Sequence, residues 1–218
     1  CKKIRCIRHR LPKCFVQFNS NGDYLTKDLL EELNDAGVGQ MLVTCHTPPT
    51  EEYNDEKRMS DIKRLFERLE LPFEIKSVTP DKNITCELMY KNIHLWICAN
   101  NWSDFGNDRG GTLKDLSCNN QEKPCCVPFR EIVIDHEGYV RMCCNIFTNE
   151  NNFGNIMEHS LQEIYFSDRM VAVRRHLLTF GAKMKPCNSC TSPDAIITET
   201  DFETVKARNA LLKESCQK

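Results

Sequence analysis

CNNQEKPCCVPFREIVIDHEGYVRMCC, residues 118–144, is followed forty-two residues later by CNSC at 187–190, and the fold is read outward from this passage. Ile132 and Ile134 alternate with polar neighbours, Asp135-His136-Glu137-Gly138 supplies a turn, and Val140 and Met142 resume the alternation. That pattern predicts a β-hairpin. It carries Cys126 up one strand and returns Cys143 on the other. Cys187 and Cys190 form a C-x-x-C pair. Four thiolates gathered in two pairs suit either tetrahedral zinc or an iron–sulfur cluster, and spacing alone does not separate the two. Neighbouring residues on a strand point to opposite faces, so Cys125 competes with Cys126, and Cys144 with Cys143.

The bulk composition narrows the class. The chain has 218 residues, 40% of them apolar, which is enough for one large domain or a domain with a smaller companion. A net charge of −2 argues against a nucleic-acid footprint or a polybasic membrane patch. No apolar run approaches the roughly 18 residues of a membrane span. No apolar leader is present, so the expected compartment is the cytoplasm. Fourteen cysteines are then unusual. Disulfide staples suit short secreted chains, and this chain is long and carries adjacent cysteine doublets. Metal or cluster ligation is the better reading.

Before this passage the chain reads as strand–helix repeats. Residues 1–13 show no cap and no periodicity. Residues 14–18 form an apolar strand, closed by the polar turn Asn19 to Asp23. Thr26 caps a helix whose apolar face is Leu29, Leu30, Leu33 and Ala36, and Gly37 stops it. Residues 38–45 form a buried strand, 57–69 a helix with Met59, Ile62, Leu65, Phe66 and Leu69 inward, 73–78 a third strand and 93–99 a fourth. Pro80 to Asn83 turns the chain, and residues 84–92 form a connection of no secure type. This is an α/β pattern of consecutive β/α units, too short to close an eight-unit barrel. Residues 100–112 are rich in Asn, Asp and Gly and read as a loop or linker, placing domains at 1–112 and 113–218. Beyond the hairpin, Phe153 to Ile156 reads as a turn. Ser160 and Glu163 make a capping box. A helix follows over 168–180, with Arg169, Arg174, Arg175 and His176 on a solvated face, and an amphipathic helix over 198–212 ends the chain.

The run Cys126-x-Pro128-Phe129, Ile132, Ile134, Asp135, Gly138, Val140, Cys143, Gly154-Asn155-Ile156, Ser160-Leu161, Glu163-Ile164, Arg174 and Cys187-x-x-Cys190 resembles the C-terminal auxiliary-cluster region of radical S-adenosylmethionine enzymes, in its shortened SPASM or Twitch-like form. Ser20-Asn21-Gly22, Ala36-Gly37-Val38 and Cys45-His46 are similar to landmarks in the middle of that family's barrel, with Ser20 in place of the usual Thr and Cys45 in place of Ser. The resemblance implies a partial (β/α) barrel of the radical SAM type followed by a small iron–sulfur domain of hairpin and helices. No cysteine follows Cys190 until Cys216, which implies one auxiliary [4Fe-4S] cluster and not two. The ligands implied are Cys126, Cys143, Cys187 and Cys190. Cys118 is a lesser candidate and His136 a turn residue. Asn21 and His46, at strand ends, are implied neighbours of the cosubstrate.

The family's C-x-x-x-C-x-x-C motif does not occur here, so no catalytic residue is assigned and the chain is expected to begin partway through the barrel. The resemblance implies an oxidoreductase or maturase that uses S-adenosyl-L-methionine and a second [4Fe-4S] cluster in the full-length enzyme. A 5′-deoxyadenosyl radical abstracts hydrogen from a peptide or a small carbohydrate-like substrate, and flavodoxin or ferredoxin donates electrons. The competing reading is a non-catalytic zinc- or cluster-binding module that engages a protein partner.

Overall fold

The computed structural model describes residues 1–105, 122–146 and 151–191. Cys118 and the expected helix over 198–212 lie outside the described residues. The chain divides into two compact units, Cys1–Phe105 and Gly106–Lys218.

The first unit is a five-stranded mixed sheet with helices on one face. Its elements are α1 (Lys2–Arg10), β1 (Gln17–Ser20), α2 (Lys27–Ala36), β2 (Gln40–Thr44), α3 (Asp55–Leu69), β3 (Ser77–Thr79), β4 (Asn83–Tyr90), β5 (Ile93–Asn100) and the short α4 (Trp102–Phe105). The strand order is β1-β2-β5-β4-β3. β1, β2 and β5 run parallel, while β4 and β3 are antiparallel additions. On β5, Ile93, Leu95 and Ile97 are fully buried while His94 and Trp96 between them are only partly covered, the period of a strand with one face on the core. Ile62, Leu65, Phe66 and Leu69 of α3 join that core with Leu30 and Leu33 of α2. Each fully buried side chain of this size contributes roughly 1.5–3 kcal/mol.

Local chemistry sets the ends of the helices. The Thr26 side chain accepts from the Leu29 N–H, and Gly37 closes α2 in the left-handed region. The Asn54 side chain accepts from the Lys57 N–H and opens α3. Gly22, at φ +79°, lies early in the loop after β1, and a Cβ there would meet Val43 at 2.8 Å.

Two expectations need correction here. Residues 1–13 are not featureless: Lys2–Arg10 is helical, held by the one buried side chain Ile4. Residues 71–100 are not a further β/α unit. They form two antiparallel hairpins, with Asp81 and Lys91 taking the left-handed turn conformation that glycine or asparagine usually marks.

In the second unit, α5 (Val127–Arg130) precedes the hairpin of β6 (Val133–Ile134) and β7 (Tyr139–Arg141), and β8 (Asn152–Asn155) completes a three-stranded antiparallel sheet. The Asp135 carboxylate organises the turn. One oxygen accepts from the Glu137 and Tyr139 amides, and the other from the Arg141 guanidinium at 2.5 and 2.9 Å. The segment read as a turn at Phe153–Ile156 is instead mostly strand. Asn155 fixes it by donating to the Glu137 carbonyl, and Gly138 is required opposite because a Cβ there would lie 2.7 Å from Asn155 Oδ1. The Ser160–Glu163 capping box opens α6 (Leu161–Tyr165) as expected. α7 (Asp168–Leu177) ends three residues earlier than expected. Arg174 is not on a solvated face: it is buried, 3.8 Å from the Tyr165 ring centroid and 5.7 Å from that of Phe129.

Candidate metal centre

Three segments of the second unit deliver thiols to one place. Cys125 stands just before α5, and its N–H donates to the Leu177 carbonyl at the end of α7. Cys143 follows β7. Cys187 and Cys190 bracket a single 3₁₀ turn, with the Cys190 N–H on the Cys187 carbonyl. Cys125, Cys143, Cys187 and Cys190 line a cavity of about 30 Å³ whose remaining walls include Met142, Ile146, Leu177 and Lys183. No disulfide forms among the described cysteines.

Of the doublet in which a ligand is expected at Cys126, it is Cys125 that lines the cavity. Cys126 is buried with 1% of its surface exposed and does not line this cavity, whereas Cys125 does. Cys144 is exposed and borders a separate recess with Arg130 and Glu131. In each doublet one cysteine lines the cavity and the other does not. Cys143, Cys187 and Cys190 line the cavity with Cys125, and His136 is exposed in the hairpin turn.

The electrostatics suit a cationic guest. Burial pushes the Cys125 thiol up to about 11 and those of Cys143 and Cys187 up to about 12, and neighbouring thiols push in the same direction. Without positive charge in the cavity these groups stay protonated, and a bound metal inverts that preference. The donor set is all sulfur, which fits soft, thiophilic iron. Among the described residues, no group of three or more His, Cys, Asp or Glu side chains is placed to hold a metal ion.

The other two expected site residues meet in the first unit. Asn21 and His46 both line a groove of about 770 Å³ at the carboxyl ends of β1 and β2, bordered by Arg58, Asp61, Arg64 and Arg68 of α3. Asn21 is engaged in its own turn, donating to the Asp23 carboxylate at 2.7 Å and accepting from the Asp23 N–H. The His46 carbonyl accepts from Arg58 at 2.6 Å, and its ring stands 6.2 Å from that of Trp102. Sequence reasoning missed two participants. Arg58 is 4% exposed and paired to Asp61 at 2.9 Å, and Lys183 lies in the wall of the thiol cavity. Nothing in a solvated-looking helix or loop marks a basic residue as buried.

Residues 125–191 match SPASM, an iron–sulfur cluster-binding domain. Over 198 residues the chain is 22% identical to the S-adenosyl-L-methionine-dependent 2-deoxy-scyllo-inosamine dehydrogenase of Niallia circulans, covering 89% of this chain and 67% of that protein. It is also similar to the crystal structure of BtrN in complex with AdoMet and 2-DOIA, with TM-score 0.59, 20% identity and 90% of this chain against 67% of that one. BtrN in an open conformation gives TM-score 0.55 at 18% identity, over 91% and 66% of the two chains. At these identities the structural likeness speaks to fold. No described helix is long and apolar enough to cross a membrane.

Proposed function

We propose that this chain is a radical S-adenosylmethionine family protein with a C-terminal SPASM-like domain, and that its second unit holds one auxiliary [4Fe-4S] cluster in the service of an S-adenosylmethionine-dependent oxidoreductase or maturase. The observation that carries this reading is the convergence of Cys125, Cys143, Cys187 and Cys190 on one cavity with no carboxylate or imidazole in its wall. The match of residues 125–191 to an iron–sulfur cluster-binding domain favours the cluster over zinc.

The roles of the chain's own residues follow. The four cysteines bind and orient the cluster, and Met142, Ile146 and Leu177 keep water from it. In the first unit, Asn21 and His46 lie in a groove at the strand ends, where α/β folds receive ligands, and they adjoin the cosubstrate in this reading. S-adenosylmethionine with a reduced catalytic cluster supplies the 5′-deoxyadenosyl radical that takes a substrate hydrogen. No residue of this chain is assigned to that cleavage, since the 218 residues contain no C-x-x-x-C-x-x-C spacing. Flavodoxin or ferredoxin is the electron donor. For the substrate, the likeness to an enzyme named for an inosamine favours a small carbohydrate-like alcohol over a peptide. The barrel-type segment is residues 1–112 and the cluster domain 113–218.

The test is anaerobic purification followed by iron, acid-labile sulfide and zinc analysis. About four irons and four sulfides per chain are expected. Zinc without labile sulfide would overturn the proposal and leave a zinc-held binding module in its place.

A further inference from the structure

Lys183 is 92% buried in the wall of the thiol cavity, yet it has no acidic partner among the described residues. Its ammonium donates to the Thr179 carbonyl, just past the carboxyl end of α7, where unpaired helical carbonyls favour positive charge. A buried cation is costly without anions nearby, and Cys125, Cys143, Cys187 and Cys190 in the same cavity wall supply them once they ligate the cluster. Lys123 also borders the cavity, but it is exposed and its charge is screened by solvent.

We propose that Lys183 is the counter-charge of the four-cysteine cavity, its ammonium offsetting the thiolates so that the cluster is retained and its reduction potential is raised. This rests on the cluster assignment above. Four thiolates around a [4Fe-4S] core leave a net negative charge that grows by one on reduction, and net charge near a cluster is one of the terms that set its potential. A fixed cation therefore stabilises the reduced form more than the oxidised one. Thr179 holds the cation at the cavity wall, and the C-x-x-C turn begins four residues after it. Lys183 is a positioning and charge-setting residue and takes no part in bond breaking.

The experiment compares the anaerobically loaded full chain with Lys183→Met, Lys183→Gln and Lys183→Arg, reading iron and sulfide content and the midpoint potential from a dithionite titration followed by electron paramagnetic resonance. The neutral variants are expected to shift the midpoint to more negative values, while Lys183→Arg stays at the parental value. Should both neutral variants lose the cluster while Lys183→Arg retains it, the charge is needed for retention, which also supports the role. An unchanged midpoint in a loaded neutral variant overturns it. So does loss of cluster or a full shift in Lys183→Arg, which would indicate packing and not charge. A parent that holds zinc and no sulfide refutes the cluster assignment itself, and the role of Lys183 falls with it.

Discussion

Replacing Cys125 and Cys126 one at a time separates a ligand from a core residue with two independent readouts. Cys125 lines the cavity, so Cys125→Ala removes one of four sulfurs. Loss of even an outer-shell partner costs about 10–100-fold in metal affinity, so loss of a ligand should cost at least ~10-fold. Cys126 is 1% exposed and outside the cavity, so Cys126→Ala removes a buried group about the size of a methylene. That deletion costs about 1 kcal/mol, somewhat more if the space does not collapse. For a unit of this size, 1 kcal/mol lowers the thermal midpoint by about 4–8 °C. The assay is iron and sulfide content after gel filtration under a chelator, paired with thermal unfolding of the metal-free proteins. Cys125→Ala should lose iron and keep the metal-free midpoint, whereas Cys126→Ala should keep iron and melt lower. The opposite pattern, iron lost with Cys126→Ala and kept with Cys125→Ala, would refute the placement of the doublet.

Other outcomes follow from single features. In the metal-free protein at pH 8, Cys125, Cys143 and Cys187, raised to about 11–12, carry on the order of one thiolate in a thousand or fewer, so iodoacetamide should label the exposed Cys6 and Cys144 first, as peptide mapping would show. Burial opposes ionisation of Asp135, but the Arg141 bond and two amides outweigh it and hold its carboxyl below the ordinary value. Its stabilising effect is complete above the unfolded value of about 3.9 and disappears as pH falls through the lower folded value. An acid titration of the thermal midpoint should therefore fall more steeply in the parent than in Asp135→Asn. Ser160→Ala breaks the capping box of α6 and should cost about 0.5–2 kcal/mol in denaturant unfolding.

The legible parts of the fold were those with local, redundant signals. Thr26 and Gly37 bracket α2, Ser160 and Glu163 open α6, and Asp135 to Gly138 turns the hairpin, each through side chains that bond their own backbone. The strand β4 was not legible, and β3 overlaps the expected strand over 73–78 only at Ser77 and Val78. Their turns use Asp81 and Lys91 in a conformation those residues rarely advertise, and Thr85 and Cys86 are both buried, which breaks the alternation. At the candidate centre the cavity is lined by Cys125 and not by the expected Cys126. Spacing identified the segments, but choosing between Cys125 and Cys126 depends on how the chain enters α5 and pairs with Leu177, a long-range contact. Buried Arg174 and Lys183 were missed for a related reason: a long basic side chain reads as solvent-facing until tertiary packing covers it.

The two margins of the five-stranded sheet have different consequences for the protein in solution. Among the described residues β3 ends one margin and β1 the other. β3 is three residues long, flanked by Lys76, Pro80 and Lys82, and charge and proline beside so short a strand discourage any further strand from joining. β1 has no such guard. From Cys14 to Gly22 the chain carries no charge, and Phe15 and Phe18 are exposed at 65% and 36%. Its outer row of amides and carbonyls is a template for one more parallel strand. In a concentrated sample of these 218 residues, self-association would therefore start at β1, and Phe18→Lys is the conservative way to suppress it without touching the cysteine unit.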